Sequence, residues 1–281
     1  MDKNKITYFK NNGYYLEKNF FSKKRVNYAL KWLRKQNPAK LVKSWTEKEP
    51  GVPLAVYSVI HKSTDKIADL TRDKKMLEIA SKLMGYEVYI WSSKVNIKEA
   101  WCGTAEYYHQ DLVYWKDRGY PKDEMLSCMI FLEEHDLNNA ALHIIPGTHK
   151  FGFIKHEPFI NINGLSKFMI PPSKLNNLMK KHKLKYIKAS PGDVLFFHTS
   201  LIHGSSHNIS SKSRAIILSQ LNTVGNEPKQ VSKNARIFNL TRSKFEKDES
   251  LRKYKWFKNK YDIQKKSKKL TFSAPIPKEE K

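Results

Sequence analysis

Residues 87–98 read EVYIWSSKVNIK, and this stretch decides the fold class. It is rich in β-branched and aromatic residues, and its second half alternates, so a strand is predicted with Lys94, Asn96 and Lys98 on one face. Beyond it, strands are expected at 126–133, 141–145, 186–189, 194–198 and 215–221, separated by turn signals such as Pro191-Gly192-Asp193. Before it the pattern is helical. Residues 22–36, SKKRVNYALKWLRKQ, place Val26, Leu30 and Leu33 at helical spacing and stop at Asn37-Pro38. Residues 65–84 carry Ile67, Leu70, Leu77, Ile79, Ala80 and Leu83 ahead of the stop signal Gly85. Helices first and then six or more short strands argue against alternating βαβ units. They predict a mainly β jelly roll with helices against one side.

The chain has 281 residues, 40% of them hydrophobic and 12% aromatic, enough for a real core. Residues 1–15 alternate Lys, Asn and Asp with aromatics and lack the apolar run of a signal peptide, and no apolar run approaches the roughly 20 residues of a bilayer span. Cys102 and Cys128 show no zinc spacing and make at most one disulfide, so reduced thiols in a cytoplasmic protein are expected. The net charge of +25 invites a nucleic-acid reading. Only 8 of the 52 basic residues are Arg, however, and bidentate phosphate recognition favours Arg, so a nucleic-acid partner is disfavoured. The organisation expected is a catalytic domain over 1–228, a helical extension over 229–265 and a solvated tail over 266–281. Residues 229–281 carry a net +11. The sequence does not indicate an oligomeric state.

The chemistry is carried by Tyr107-Tyr108-His109-Gln110-Asp111 and, much later, Leu201-Ile202-His203-Gly204-Ser205. On a strand, residues two apart point to the same side, so His109 and Asp111 can approach one ion. Two imidazoles and a carboxylate on one face of an octahedron leave three adjacent positions open, the arrangement by which non-haem Fe(II) takes a chelating co-substrate and O2 together. A lone His-x-Asp says little. Arg214 adds weight, because a guanidinium that opens a buried strand requires an anion to offset its desolvation. 2-Oxoglutarate supplies such a carboxylate; a core acid such as Glu133 or Asp193 is the alternative. His203 is preferred over His198 and His207 as third ligand, since Gly204 allows close backbone approach and the Ser205 hydroxyl can help hold a carboxylate. His61, His135, His143, His149, His156 and His182 have no ligand spacing.

Together with Ala141-Leu142-His143-Ile144-Ile145-Pro146-Gly147-Thr148-His149-Lys150 and Pro191-Gly192-Asp193-Val194-Leu195-Phe196-Phe197-His198, these motifs make the chain resemble the phytanoyl-CoA dioxygenase family of Fe(II)- and 2-oxoglutarate-dependent oxygenases. The likeness runs over residues 5–221, and the spacing is similar to that of the ectoine hydroxylase branch. It implies a double-stranded β-helix, or cupin-like jelly roll, with His109, Asp111 and His203 as iron ligands and Arg214 and Ser205 on the distal carboxylate of 2-oxoglutarate. It implies further that Asn96 and Trp115 line the co-substrate site, with Lys94 beside Asn96 on the same strand face. The activity implied is hydroxylation of a small metabolite, an anionic one being compatible with the charge, with release of succinate and CO2. Related halogenases replace the carboxylate ligand with a small residue, and Asp111 keeps it. The chain departs from the family at Asn138-Asn139-Ala140, where Glu-Asn-Gly is common. Other classes considered are a basic nucleic-acid binder and a non-catalytic protein on a degenerate oxygenase fold. A zinc hydrolase is disfavoured because no partnered general base stands near the set.

Overall fold

A computed structural model describes residues 1–35, 44–45, 56–58, 67–101, 103–116, 120–160 and 166–226. The expected extension at 229–265, the tail at 266–281 and Cys102 lie outside the described residues. Two sheets face each other. The larger has seven strands in the order β1 (Tyr14–Glu17), β11 (Val194–His198), β6 (Met125–Phe131), β13 (Arg214–Thr223), β4 (Val88–Lys98), β3 (Val56–Ser58) and β2 (Ser44–Trp45). The smaller has four, β10 (Lys185–Tyr186), β7 (Leu142–Ile144), β12 (His203–Ser205) and β5 (Glu106–His109). A hairpin of β8 (Glu157–Ile160) and β9 (Ser166–Met169) stands beside them. The strand pairings among the described residues are antiparallel, as the predicted jelly roll requires.

Alternation sorts the strand residues into two cores. On β13 and β11, Ala215, Ile217, Val194 and Phe196 turn outward to the helices, while Ile216, Leu218, Leu195 and Phe197 turn inward between the sheets. Every residue of β13 is buried, because one face meets the small sheet and the other meets α2 (Lys23–Lys35) and its neighbours. Each fully buried Phe or Ile contributes about 1.5–3 kcal/mol, so this sheet is the rigid half of the molecule. The helix predicted at 22–36 forms as α2, with Val26, Ala29 and Leu33 inward. The stretch predicted as one helix over 65–84 is two, α3 (Ala68–Thr71) and α4 (Lys74–Met84). The break has a local cause: the Asp73 carboxylate accepts the Met76 N–H and starts a new helix instead of continuing the old one. Gly85, at φ 77°, ends α4 where the sequence placed its stop.

On β4 the outward residues Val95 and Ile97 belong to the helix-side core, so Lys94, Asn96 and Lys98 face the space between the sheets. Polar groups on the inner face of an otherwise apolar sheet mark where the site lies.

Candidate active site

The small sheet brings the two imidazoles together by register, since His203 on β12 pairs directly with His109 on β5. Asp111 arrives differently from expectation. The strand ends at His109, and Asp111 opens a 3-10 turn spanning Asp111–Tyr114. Gln110 keeps an extended backbone, φ −109° and ψ 132°, so alternation persists for the one residue that matters. Its side chain, pointing the other way, is pinned at both ends. Nε2 donates to the carbonyls of Gly152 (2.8 Å) and Ser200 (2.7 Å), and Oε1 accepts from the Ile154 N–H (2.8 Å).

The Nε2 atoms of His109 and His203 each lie 3.7 Å from Asp111 Oδ1. His109 Nδ1 is 2.7 Å from the Tyr107 carbonyl and His203 Nδ1 is 3.0 Å from the Leu201 carbonyl. A carbonyl can only accept, so the ring proton sits on Nδ1 and both Nε2 lone pairs point at the centre. The remaining Asp111 oxygen, Oδ2, accepts from Ser127 Oγ at 2.7 Å, which fixes the carboxylate plane. Burial pushes the Asp111 pKa up, but His203 and His109 outweigh it and hold the group below the usual carboxylate range. Burial lowers the His203 pKa to about 4, giving the neutral form that a metal requires. Two imidazole nitrogens and one carboxylate oxygen, all within 4.8 Å of one another, fit a divalent ferrous ion. His198 and His207 stand apart from this set. His198 Nδ1 takes the Ser200 N–H, and His207 is exposed.

The facing sheet supplies the cations. Arg214 opens β13, is buried and donates from Nη1 to the Ala140 carbonyl; its Nε has no hydrogen-bond partner among the described residues. The two acids that could have neutralised it are engaged elsewhere, Glu133 with Arg34 (2.9 Å) and Asp193 with Lys18 (2.7 Å). Burial lowers the Arg214 pKa to about 10, which leaves the group charged at neutral pH. Ala140 itself has φ 65°, so the loop that lacks the family's glycine still adopts the left-handed conformation glycine would favour. Ser205 is buried, and its Oγ accepts from Lys98 Nζ at 2.8 Å. Lys98 pairs in register with Arg214. Sequence reasoning put Lys98 on one strand face with Lys94 and Asn96 without giving it a role; the family likeness that implied a role for Asn96 did not extend to it.

Asn96 presents a buried Oδ1 with no hydrogen bond among the described residues. Lys94 lies two residues further along the same face, within electrostatic reach of Asp111 and Glu106. Trp115 packs edge-on against Trp91 in the helix-side core, contact enough to explain its burial. Three residues near the metal point were not singled out from sequence. Ser127 orients Asp111, Tyr114 packs its ring against His109, and Glu106 forms an ion pair with Lys167 of β9 at 2.8 Å. Glu106 and His109 are three apart, which in a regular strand would put them on opposite faces. A register shift on the β5–β12 ladder, with His109 opposite His203 but Glu106 opposite Ser205, changes that.

Residues 9–216 match the sequence profile of the family described as Phytanoyl-CoA dioxygenase (PhyH). The chain belongs to that family. It is an Fe(II)- and 2-oxoglutarate-dependent oxygenase. Among its relatives, the ectoine dioxygenase of Stutzerimonas stutzeri (strain A1501) is 28% identical over 229 residues, covering 78% of this chain and 76% of that protein. The L-proline trans-4-hydroxylase of Streptomyces griseoviridis is 27% identical over 179 residues, 60% of this chain and 67% of that one. The solved structure of EctD from S. alaskensis with 2-oxoglutarate and 5-hydroxyectoine superimposes with a TM-score of 0.70 at 27% identity, covering 83% of this chain and 81% of that chain. The carbocyclase SnoK, at 16% identity and a TM-score of 0.62, shares the fold. No helix among the described residues is long and apolar enough to cross a membrane.

Proposed function

We propose that His109, Asp111 and His203 bind one ferrous ion, and that Arg214 and Ser205, with Lys98 beside them, hold the distal carboxylate of 2-oxoglutarate. The observation that carries this reading is a buried guanidinium with no carboxylate bonded to it among the described residues, set across from three donors sharing one centre. Bound together, the ion, the co-substrate and O2 supply the oxidising power for hydroxylation of a C–H bond, with succinate and CO2 as co-products. The protein's own part is positional. Arg214 fixes one end of the diacid through charge-assisted hydrogen bonds, Ser205 adds a hydroxyl, and Ser127 and the two backbone carbonyls keep the ligand atoms aimed. Asn96 lies between Lys98 and the metal end, where its side-chain amide can donate from Nδ2 to a co-substrate oxygen. Trp115, packed on Trp91 in the helix-side core, is assigned a packing role in place of the co-substrate contact that the family likeness implies.

The substrates named for the relatives, ectoine and proline, are small and polar, and we assign this enzyme a small metabolite of its own without choosing either. A reducing cytoplasm suits the free, buried thiol of Cys128. The positive charge is assigned to solubility and encounter and not to nucleic-acid binding. Anaerobic addition of Fe(II) and then 2-oxoglutarate tests the assignment: a metal-to-ligand charge-transfer band should appear in the wild type and be absent in Asp111→Ala. An undiminished band in that variant would remove Asp111 from the ligand set.

A further inference from the structure

His156 is a buried histidine outside the proposed ligand set, yet its ring is held as theirs are. In His109 and His203, Nδ1 bonds the carbonyl two residues back and leaves the Nε2 lone pair available. His156 repeats this arrangement. Its Nδ1 lies 2.6 Å from the Ile154 carbonyl, which can only accept, so the proton sits on Nδ1 and Nε2 is an acceptor. That lone pair is already committed: it accepts the backbone N–H of Gln110 at 3.0 Å. Gln110 is the single residue between His109 and Asp111. The His156 ring is within electrostatic reach of both His109 and His203, which places it close behind the metal point.

The Gln110 N–H needs such a partner. β5 ends at His109, and the 3-10 turn begins at Asp111, so the peptide between them belongs to neither element. Gln110 is fully buried, and a buried N–H without an acceptor is costly. Its side chain is spent on the backbone of Gly152, Ile154 and Ser200 and cannot turn back to satisfy it. Those bonds also hold Gln110 only at the far end of a flexible side chain. The imidazole fixes the main chain itself, and with it the direction in which Asp111 leaves the strand. Gly152, Ile154 and His156, two apart in sequence, thus all bond to the residue that joins two ligands.

We propose that His156 is a positioning residue of the metal centre: its Nε2 holds the peptide between His109 and Asp111, and losing that acceptor weakens iron binding without weakening 2-oxoglutarate. The inference rests on the ligand set proposed above and deepens it. His156 acts through Gln110 and not by contact with the ion.

The test is anaerobic Fe(II) titration of the full-length protein, wild type first. If the wild type takes up no iron, or if Asp111→Ala binds it as tightly, the ligand set falls and the inference with it. His156→Phe keeps the ring contact with Phe153 and removes only the acceptor. It should raise the Fe(II) Kd roughly 10–100-fold, the range for losing an outer partner of a metal ligand. At saturating iron, its Kd for 2-oxoglutarate, read from the charge-transfer band, should stay within about twofold of the wild type. His156→Gln puts an amide oxygen near the position of Nε2 and should return the Fe(II) Kd to within about threefold. His156→Asn has the same chemistry one carbon shorter and should not. Should His156→Phe fail to fold, the Gln and Asn pair decides the matter. The proposal is overturned if the Phe or Asn variant binds iron as tightly as the wild type, if Gln binds it as weakly as Asn, or if the 2-oxoglutarate Kd rises along with that for iron.

Discussion

The two sheets divide the labour unequally. The seven-stranded sheet is long and apolar: β13 runs for 10 residues and pairs with β4 on one side and β6 on the other. The four-stranded sheet is built from strands of 2 to 4 residues and carries a register shift between His203 and Ser205. Yet the small sheet bears the two imidazoles, and the large one bears Arg214, Lys98, Asn96 and Lys94. In the proposed reading, such a site has a stiff wall that grips the organic ligands and a shorter wall whose alignment depends on individual hydrogen bonds, such as those from Gln110 and Ser127. Damage to the apolar packing of the large sheet should register as lost stability, and damage to the small-sheet donors or to the hydrogen bonds that aim them as lost metal binding.

The largest effect that can break this comparison is expected on the small-sheet side. Asp111→Ala should lower turnover by at least about a thousandfold, and added Fe(II) should no longer raise its melting temperature. In the wild type, Fe(II) at a hundred times its Kd should stabilise the fold by about 2.7 kcal/mol. A comparable thermal shift in the variant would contradict the division. On the other wall, Phe196→Ala opens a cavity in the helix-side core and should cost about 3–5 kcal/mol in a denaturant titration. The protein that remains folded should bind iron as before. Arg214→Ala should raise the 2-oxoglutarate KM by about 10–100-fold in a succinate assay, with a smaller change in kcat at saturation. An unchanged KM would free Arg214 from its role.

Two smaller effects sharpen the picture. Ser127→Ala removes the hydrogen bond that orients Asp111 and should weaken Fe(II) affinity by about tenfold in a metal titration, with little loss of global stability. Ala140→Gly relieves a left-handed backbone at the residue whose carbonyl meets Arg214, and should stabilise the fold by about 1 kcal/mol in thermal unfolding. A destabilisation there would show that the glycine missing from this chain is compensated in some other way.

The same inequality governed what could be read in advance. β4 was legible because a strand of 11 residues carries its own alternation, and β11 because VLFFH is a continuous apolar run beside a Pro-Gly turn. The cluster of His109, Asp111 and His203 and the buried position of Arg214 were legible through residue type and spacing. β5 was read as a strand only through the His109–Asp111 spacing and its end was placed too late, and β12 was not legible as a strand, since three residues hold too little periodicity to stand out from a loop. The 3-10 turn at Asp111 and the break at Asp73 both come from hydrogen bonding after a pattern that, taken alone, predicts continuation. Glu106 escaped for a different reason: only the pairing with β12 reveals the shift in register, and no single strand contains that information. Ser127 is one serine in a buried strand, and nothing in its neighbours announces the carboxylate it holds.

The most direct measurement is anomalous diffraction at the iron edge from crystals grown anaerobically with Fe(II). The account predicts a single strong peak at bonding distance from His109 Nε2, His203 Nε2 and one Asp111 oxygen. A peak on other residues, such as His149 and His198, with the three predicted donors left bare, would contradict it.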